Sequence, residues 1–324
     1  MKQSTAKPLT IGVDLGGTKV SMALVDANGQ ILSDNRYQTN PDKGSEAIVA
    51  DLIDAVNKFQ EQSGQGAAAL GIGVAGQIDL AGIVKSSPNL PFHDEPLQVR
   101  LEEELGVPVL VTNDVNAVTY GEWRYGAGKG MDDIVVVFVG TGIGGGVISA
   151  GRLIEGCNNT AGELGHVTIV FEGRKCRCPN VGCLEAYAGG WAIAERAKEA
   201  VSKSPSEGER LISFSGGIEK ITAATVCRAY EAQDPLSRRL VEETGQYLAA
   251  GMVGIVNAFN PCLLILGGGV VEGIPELVQI VEGVVQKHAL KPAVENLKIV
   301  KAGLGAKAGV IGAAALARDK IAKG

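Results

Sequence analysis

The most specific chemistry in this 324-residue chain sits in one short stretch. His166 is followed by Cys176, Cys178 and Cys183, a Cys-x-Cys-x4-Cys run with glycine and proline between the thiols. Three thiolates and one imidazole make a tetrahedral zinc set, and four protein ligands leave no open position, so such a site is structural and not catalytic. The chain has only three histidines, and one of them lies just before this cluster. The alternative is three buried thiols and a satisfied histidine. Cys157, Cys227 and Cys262 are isolated and read as packing residues, and His93 and His288 lack partners in the sequence. Six cysteines without a secretion signal argue against a disulfide framework.

Two carboxylates bracket this run. Glu163 precedes His166 and Glu185 follows Cys183. A metal would draw both segments together, and the two acids could then hydrogen-bond vicinal hydroxyls of a sugar. Taken alone, each reads as a solvated loop charge. Asn113-Asp114 is a third candidate, at the end of an expected strand and just before a helix. Ligands of open α/β sheets bind at such strand ends. An aspartate there can accept the proton of an attacking hydroxyl in phosphoryl transfer. The same pair also suits a helix N-cap.

Two glycine turns complete the set: Asp14-Leu15-Gly16-Gly17-Thr18-Lys19 and Gly140-Thr141-Gly142-Ile143-Gly144-Gly145-Gly146. Glycine lets backbone N–H groups approach an anion closely. Asp14 would repel phosphate unless a divalent cation lay between them. Either turn alone reads equally well as a tight hairpin. Neither has the Gly-Lys-Ser/Thr of a P-loop, and each precedes a strand-like run where a dinucleotide fingerprint requires a helix. Two hairpins gripping one triphosphate is the better joint reading. Gly267, Gly268 and Gly269 would offer bare backbone to an adenosine.

The elements that must position these residues follow from periodicity. Residues 9–24 read as strand, glycine turn, strand, and Asn28-Gly29 as a second turn. A helix is expected over 46–60, where Ile48, Val49, Leu52, Ile53, Val56 and Phe59 share one face. Strands follow at 70–74 and 107–111, with a helix over 95–104 between them. A second unit opens with a strand at 134–139, a turn over 140–146 and a return strand at 147–148. Its echo of the opening, Gly16 to Thr141, about 125 positions apart, suggests an internal duplication. Residues 155–190 form a glycine- and cysteine-rich loop region, 263–266 a strand, and the alanine-rich 306–322 a helix. The alternation is that of an α/β fold. The uncharged run 244–271 is long enough to span a membrane, but Gln246, Asn257, Asn260 and Pro261 interrupt it; a buried helix and strand fit better. Residues 1–10 lack the apolar core of a signal peptide, which points to the cytoplasm. A net charge of −6 without a Lys/Arg cluster argues against a nucleic-acid surface.

These pieces, in this order, resemble the ROK family of bacterial repressors and sugar kinases, and within it the glucokinases. The resemblance covers nearly the whole chain. It rests on Asp14 to Lys19, Gly73-Val74-Ala75-Gly76, Ser87-Pro88-Asn89-Leu90-Pro91, Thr112-Asn113-Asp114-Val115-Asn116-Ala117, and the run from Gly140 through Ala161-Gly162-Glu163-Leu164-Gly165-His166. The segment from Cys176 to Glu185 is the family hallmark; Pro179 stands where the family usually has glycine.

The resemblance implies an actin-like ATPase (sugar kinase/ribonuclease H-like) fold of two α/β domains flanking a cleft. We expect a smaller domain of residues 1–117 plus 308–324 and a larger one, 118–307, carrying the zinc loop. It implies an ATP-dependent hexose kinase using Mg2+, with structural Zn2+ on His166, Cys176, Cys178 and Cys183. Asp114 would be the general base. Gly76, Asn89, Asn113, Asp114, Glu163, His166 and Glu185 would hold the sugar; Asp14, Gly16, Gly17, Thr18, Lys19, Thr141, Gly142, Gly267, Gly268 and Gly269 would hold the nucleotide. His166 would serve twice, one nitrogen on zinc and the other near a sugar hydroxyl. Domain closure would exclude water. Glucose is the expected acceptor; fructose, mannose, N-acetylglucosamine and N-acetylmannosamine remain open. No nucleic-acid or membrane partner is expected, and the family implies a homodimer or homotetramer. The competing reading is a sugar-responsive regulator. Repressors of the family carry an N-terminal helix-turn-helix, whereas about ten residues precede the first strand here, and the acidic charge lacks a DNA footprint.

Overall fold

The computed structural model describes residues 8–64 and 66–322, so the opening stretch on which the leader argument rests lies mostly outside it. The chain packs as two compact units. The described parts of Met1–Gly130, Leu153–Ala161 and Gly303–Gly324 form the first; Met131–Arg152 and Gly162–Ala302 form the second.

In the first unit, β1 (Thr10–Leu15), β2 (Lys19–Val25), β3 (Ile31–Gln38), β4 (Ala69–Val74) and β8 (Val109–Asn113) form a sheet of order β3-β2-β1-β4-β8. Short strands β5 (Gln77–Ile78), β6 (Val84–Ser86) and β7 (His93–Glu95) make a separate three-stranded sheet that periodicity does not reveal. Helices α1 (Ser45–Ser63), α2 (Leu97–Leu105) and α3 (Asp114–Tyr125) follow the strands. The α1 stripe buries Ile48, Val49, Leu52, Val56 and Phe59, and Ile53 is half-buried. The helix expected over 95–104 begins only at Leu97, because Pro96 precedes it and Glu95 belongs to β7.

The second unit contains β9 (Ile134–Val139), β10 (Ile143–Ser149), β12 (Leu263–Gly267) and β13 (Lys298–Lys301). With β11 (Arg152–Leu153) they give the order β11-β10-β9-β12-β13. This is the first sheet's pattern again: an antiparallel hairpin, then two parallel strands beside its first strand. The duplication expected from the glycine echo is therefore present in the topology. Around this sheet run α4 (Glu185–Ala188), α5 (Gly190–Lys203), α6 (Glu209–Ser215), α7 (Ala223–Glu231), α8 (Pro235–Phe259), α9 (Gly269–Gly273), α10 (Glu276–His288) and α11 (Lys291–Val294).

The glycine turn expected over 140–146 is shorter, because β10 begins at Ile143. Gly144 to Gly146 run inside the strand since the 3-10 turn Leu164–His166 lies against it; a Cβ on Gly145 would sit 2.5 Å from Leu164 Cδ1. The uncharged run resolves into the end of α8 followed by β12. Among the described residues no helix is long and apolar enough to cross a membrane.

The last helix, α12 (Ala308–Ile321), returns to the first unit and is buried against β1, β4 and α3. Its small residues let it approach very closely. A Cβ on Gly12 would overlap the Val310 carbonyl, one on Gly71 the Ala313 carbonyl, and one on Gly312 the Ala117 carbonyl.

Candidate active site

In the first unit the strand register brings three candidates to one sheet edge. Leu15 pairs with Val74, and Val74 pairs with Asn113, so the β1–β2 turn, the turn after β4 and the start of α3 lie side by side. Asn113 does cap α3: its Oδ1 accepts from the N–H groups of Val115 and Asn116 at 2.8 and 3.2 Å. Its Nδ2 donates to the Gly76 carbonyl at 3.0 Å, which ties the helix start to the turn. Asp114 is the first helical residue, and its Oδ1 accepts from the Val115 N–H at 2.9 Å. Its carboxylate thus sits at the positive end of the helix.

Gly17 packs so tightly on the Asn89 segment that a Cβ there would lie 2.6 Å from Asn89 Cβ. Asn89 therefore borders the first glycine turn. Within that turn the Gly16 N–H donates to the Lys19 carbonyl at 3.1 Å, and Thr39 Oγ1 donates to the Gly16 carbonyl at 2.7 Å. The Gly16 amide is thus committed to the hairpin. Asp14 faces the start of α12: a Cβ on Gly309 would be 3.2 Å from its carboxylate. Burial pushes the Asp14 carboxyl above its ordinary value, and the charges of Lys19 and Arg36 draw it back.

In the second unit Glu185 supports the other glycine turn. Its Oε2 accepts from the Ile143 N–H at 2.8 Å and its Oε1 from Trp191 Nε1 at 3.0 Å. A Cβ on Gly142 would overlap Oε2. Glu185 is thus a packed, oriented acid and not a solvated loop charge; sequence spacing gave no sign of its Trp191 partner. The turn's own amides at Gly140 and Ile143 are bonded, to the Gly142 carbonyl and to Glu185. Of the three later glycines, Gly267 and Gly268 answer to neighbours. A Cβ on Gly267 would be 2.7 Å from the Phe138 ring, and Gly268 has φ +91° with Val139 beside it. Only Gly269 faces open space.

The cysteine run folds as its spacing predicts. Ligand atoms of His166, Cys176, Cys178 and Cys183 all lie within 4.8 Å of one another. Cys178 and Cys183 sulfurs are 3.7 Å apart, as are Cys176 Sγ and His166 Nδ1. The edge of a zinc–sulfur tetrahedron with bonds near 2.3 Å is about 3.8 Å, so the donor set fits zinc. Asn180 Nδ2 donates to Cys183 Sγ at 3.3 Å, an outer hydrogen bond suited to a thiolate. Burial pushes the Cys176 thiol up to about 12, so without a metal that thiol would keep its proton and a bound cation would release it. With Nδ1 turned to the thiols, His166 Nε2 points toward Glu163, 3.9 Å from its Oε2.

A duplicated strand-hairpin-strand sheet, with glycine turns and acids at its strand ends, defines the actin-like ATPase class of fold. The sequence profile of the ROK family matches residues 10–320, and the chain belongs to the ROK family. It is 33% identical to the glucokinase of Halalkalibacterium halodurans, covering 96% of this chain and 95% of that one. A Streptomyces griseus ROK glucokinase, solved in complex with glucose and AMPPNP, superposes with a TM-score of 0.84 at 35% identity, covering 96% and 99% of the two chains. The xylose repressor of Bacillus subtilis is 30% identical, over 96% of this chain and 77% of the repressor.

Proposed function

We propose that this chain is an ATP-dependent hexose kinase, and specifically a glucokinase making glucose 6-phosphate and ADP. The observation that carries this reading is the placement of Asp114, at a strand end beside a glycine turn and oriented by the first turn of α3. Nearly end-to-end likeness to a glucokinase supports it.

Asp114 accepts the proton of the attacking sugar hydroxyl as that oxygen bonds to the γ-phosphorus and the bond to the β,γ-bridging oxygen breaks. Asn113, with Oδ1 used for capping, offers its remaining amide hydrogen to the sugar. Gly76 and Asn89 line the same edge. Glu163, Glu185 and His166 Nε2 take further hydroxyls, and Glu185 keeps one lone pair on each oxygen for this. The amides of Gly17, Thr18, Thr141 and Gly142 meet phosphate; Asp14, Gly16 and Lys19 shape the first turn around it, and Gly267, Gly268 and Gly269 border the adenosine. Asp14 would face the magnesium carried with ATP, which would neutralise phosphate charge. His166, Cys176, Cys178 and Cys183 would hold zinc, which would cross-link residues 166–183 and fix the His166 ring. The enzyme works in the cytoplasm at the entry to glycolysis, as a homodimer or homotetramer.

A coupled ADP-release assay with ATP and magnesium tests this across glucose, mannose, fructose, N-acetylglucosamine and N-acetylmannosamine. Saturable release with glucose well above the others is expected. Preference for another sugar keeps the mechanism and changes the substrate. The extended match to the xylose repressor favours one second reading, a sugar-responsive regulator. No sugar-dependent release, together with salt-sensitive binding to operator DNA, would select it.

A further inference from the structure

The turn after β4 and the short strand β5 that follows it are held by side chains from three separate stretches of chain. Ser87 Oγ donates to the Ala75 carbonyl at 2.6 Å, Asn113 Nδ2 to that of Gly76 at 3.0 Å, and Asn159 Nδ2 to that of Ile78 at 3.0 Å. Ser87 leads into Asn89 and Asn113 adjoins Asp114, so two of these holds already belong to the sugar site argued above. Asn159 does not. It lies in Leu153–Ala161, which packs with the first unit although the chain on either side belongs to the second.

Asn159 is held there against two costs. Its backbone is left-handed, with φ 59°, and its Oδ1 is buried without a hydrogen-bond partner. Both features are unfavourable for a residue that is only 7% exposed. Asn260 is also left-handed, but it is exposed and merely ends α8. Asn159 instead spends its amide on a carbonyl 81 positions away. The same stretch is anchored again by Lys320 Nζ on Glu155 at 2.6 Å, and Glu163 follows a few residues later.

We propose that Asn159 is a positioning residue for sugar binding. It fixes β5, two residues beyond Gly76, and sets the starting point of the segment that carries Glu163. Pre-organisation of this kind is felt in affinity for the sugar and not for the nucleotide. The inference rests on the hexose-kinase reading.

Asn159→Gly tests it in the full-length, zinc-replete chain, because glycine accepts the left-handed backbone and deletes only the amide. The KM for glucose should rise about ten-fold, the worth of one buried hydrogen bond, while kcat and the KM for ATP stay within about two-fold. Asn159→Asp, which keeps the shape but in its ionised form cannot donate to Ile78, should repeat the effect. A glucose KM within about two-fold of wild type overturns the proposal. So does a fall in kcat, or a rise in both KM values, that tracks a lowered melting temperature. If the wild type itself shows no sugar-dependent ADP release, the kinase reading fails instead.

Discussion

Single side chains carry the most direct tests. Asp114→Asn keeps a helix-start acceptor but cannot take a proton at neutral pH. Its kcat should fall about a thousand-fold while glucose affinity, read by calorimetry, holds within a few-fold. Equal loss of binding and rate would remove Asp114 from the role of base. Asp14 makes a different prediction. Its folded pKa lies above the usual carboxylate value, so the folded chain holds that proton more tightly than the unfolded chain does. The corresponding stability is present below the unfolded value and is lost as pH rises through the folded one. Without magnesium or nucleotide, Asp14→Asn should therefore melt at or above wild type at neutral pH, and the gap should close on acidification. The same variant should lose turnover by about a hundred-fold or more. A variant that melts below wild type at neutral pH would mean that Asp14 stabilises the fold.

Among the elements, α12 has the least room. Gly71→Ala would drive a methyl group into the Ala313 carbonyl, and overpacking of this kind costs about 1–3 kcal/mol. A melting temperature lower by several degrees is expected, and an unchanged one would mean that α12 can shift outward. The alanine-rich composition announced this helix, but nothing local told which sheet its small face would meet. The same distinction runs through the other elements. The α1 stripe and the β-branched β9 were legible because their signals are local and periodic. The clustering of His166 with the three cysteines was legible because a tetrahedral metal set constrains both residue type and spacing. What stayed hidden depends on partners far along the chain. At Gly17, Gly142, Gly267 and Gly268 a Cβ would run into Asn89, Glu185, Phe138 and Val139, neighbours that no local pattern announces. Glu122, fully buried, accepts from the amides of Ala127, Gly303 and Leu304, a grip reaching 182 residues onward that no motif signals.

For the whole molecule, the two sheets share one strand order although they share little sequence beyond their glycine turns. The echo was only partly visible because the third strands differ, eight residues in β3 and two in β11. The copies also differ in equipment: the first turn carries Asp14 and Lys19, whereas the second is uncharged and backed by Glu185, which follows the cysteine run. The loop's dependence on metal is the test at this scale. Metal analysis should find one zinc per chain, and chelation under reducing conditions should open residues 163–185 to protease and abolish turnover. A fully metal-free chain with full activity would separate the sugar site from the metal.

The return of α12 to the first unit also bears on how the chain is made. Ribosomes deliver residues in order, and domains tend to fold as they emerge. The second unit has all its strands once Ala302 is out. The first, begun at Thr10, must wait with the floor of its sheet bare until a helix translated after nearly everything else arrives to cover it. A released chain truncated just before residue 308 should therefore fold its second unit and leave the first unfinished, the half most in need of a chaperone.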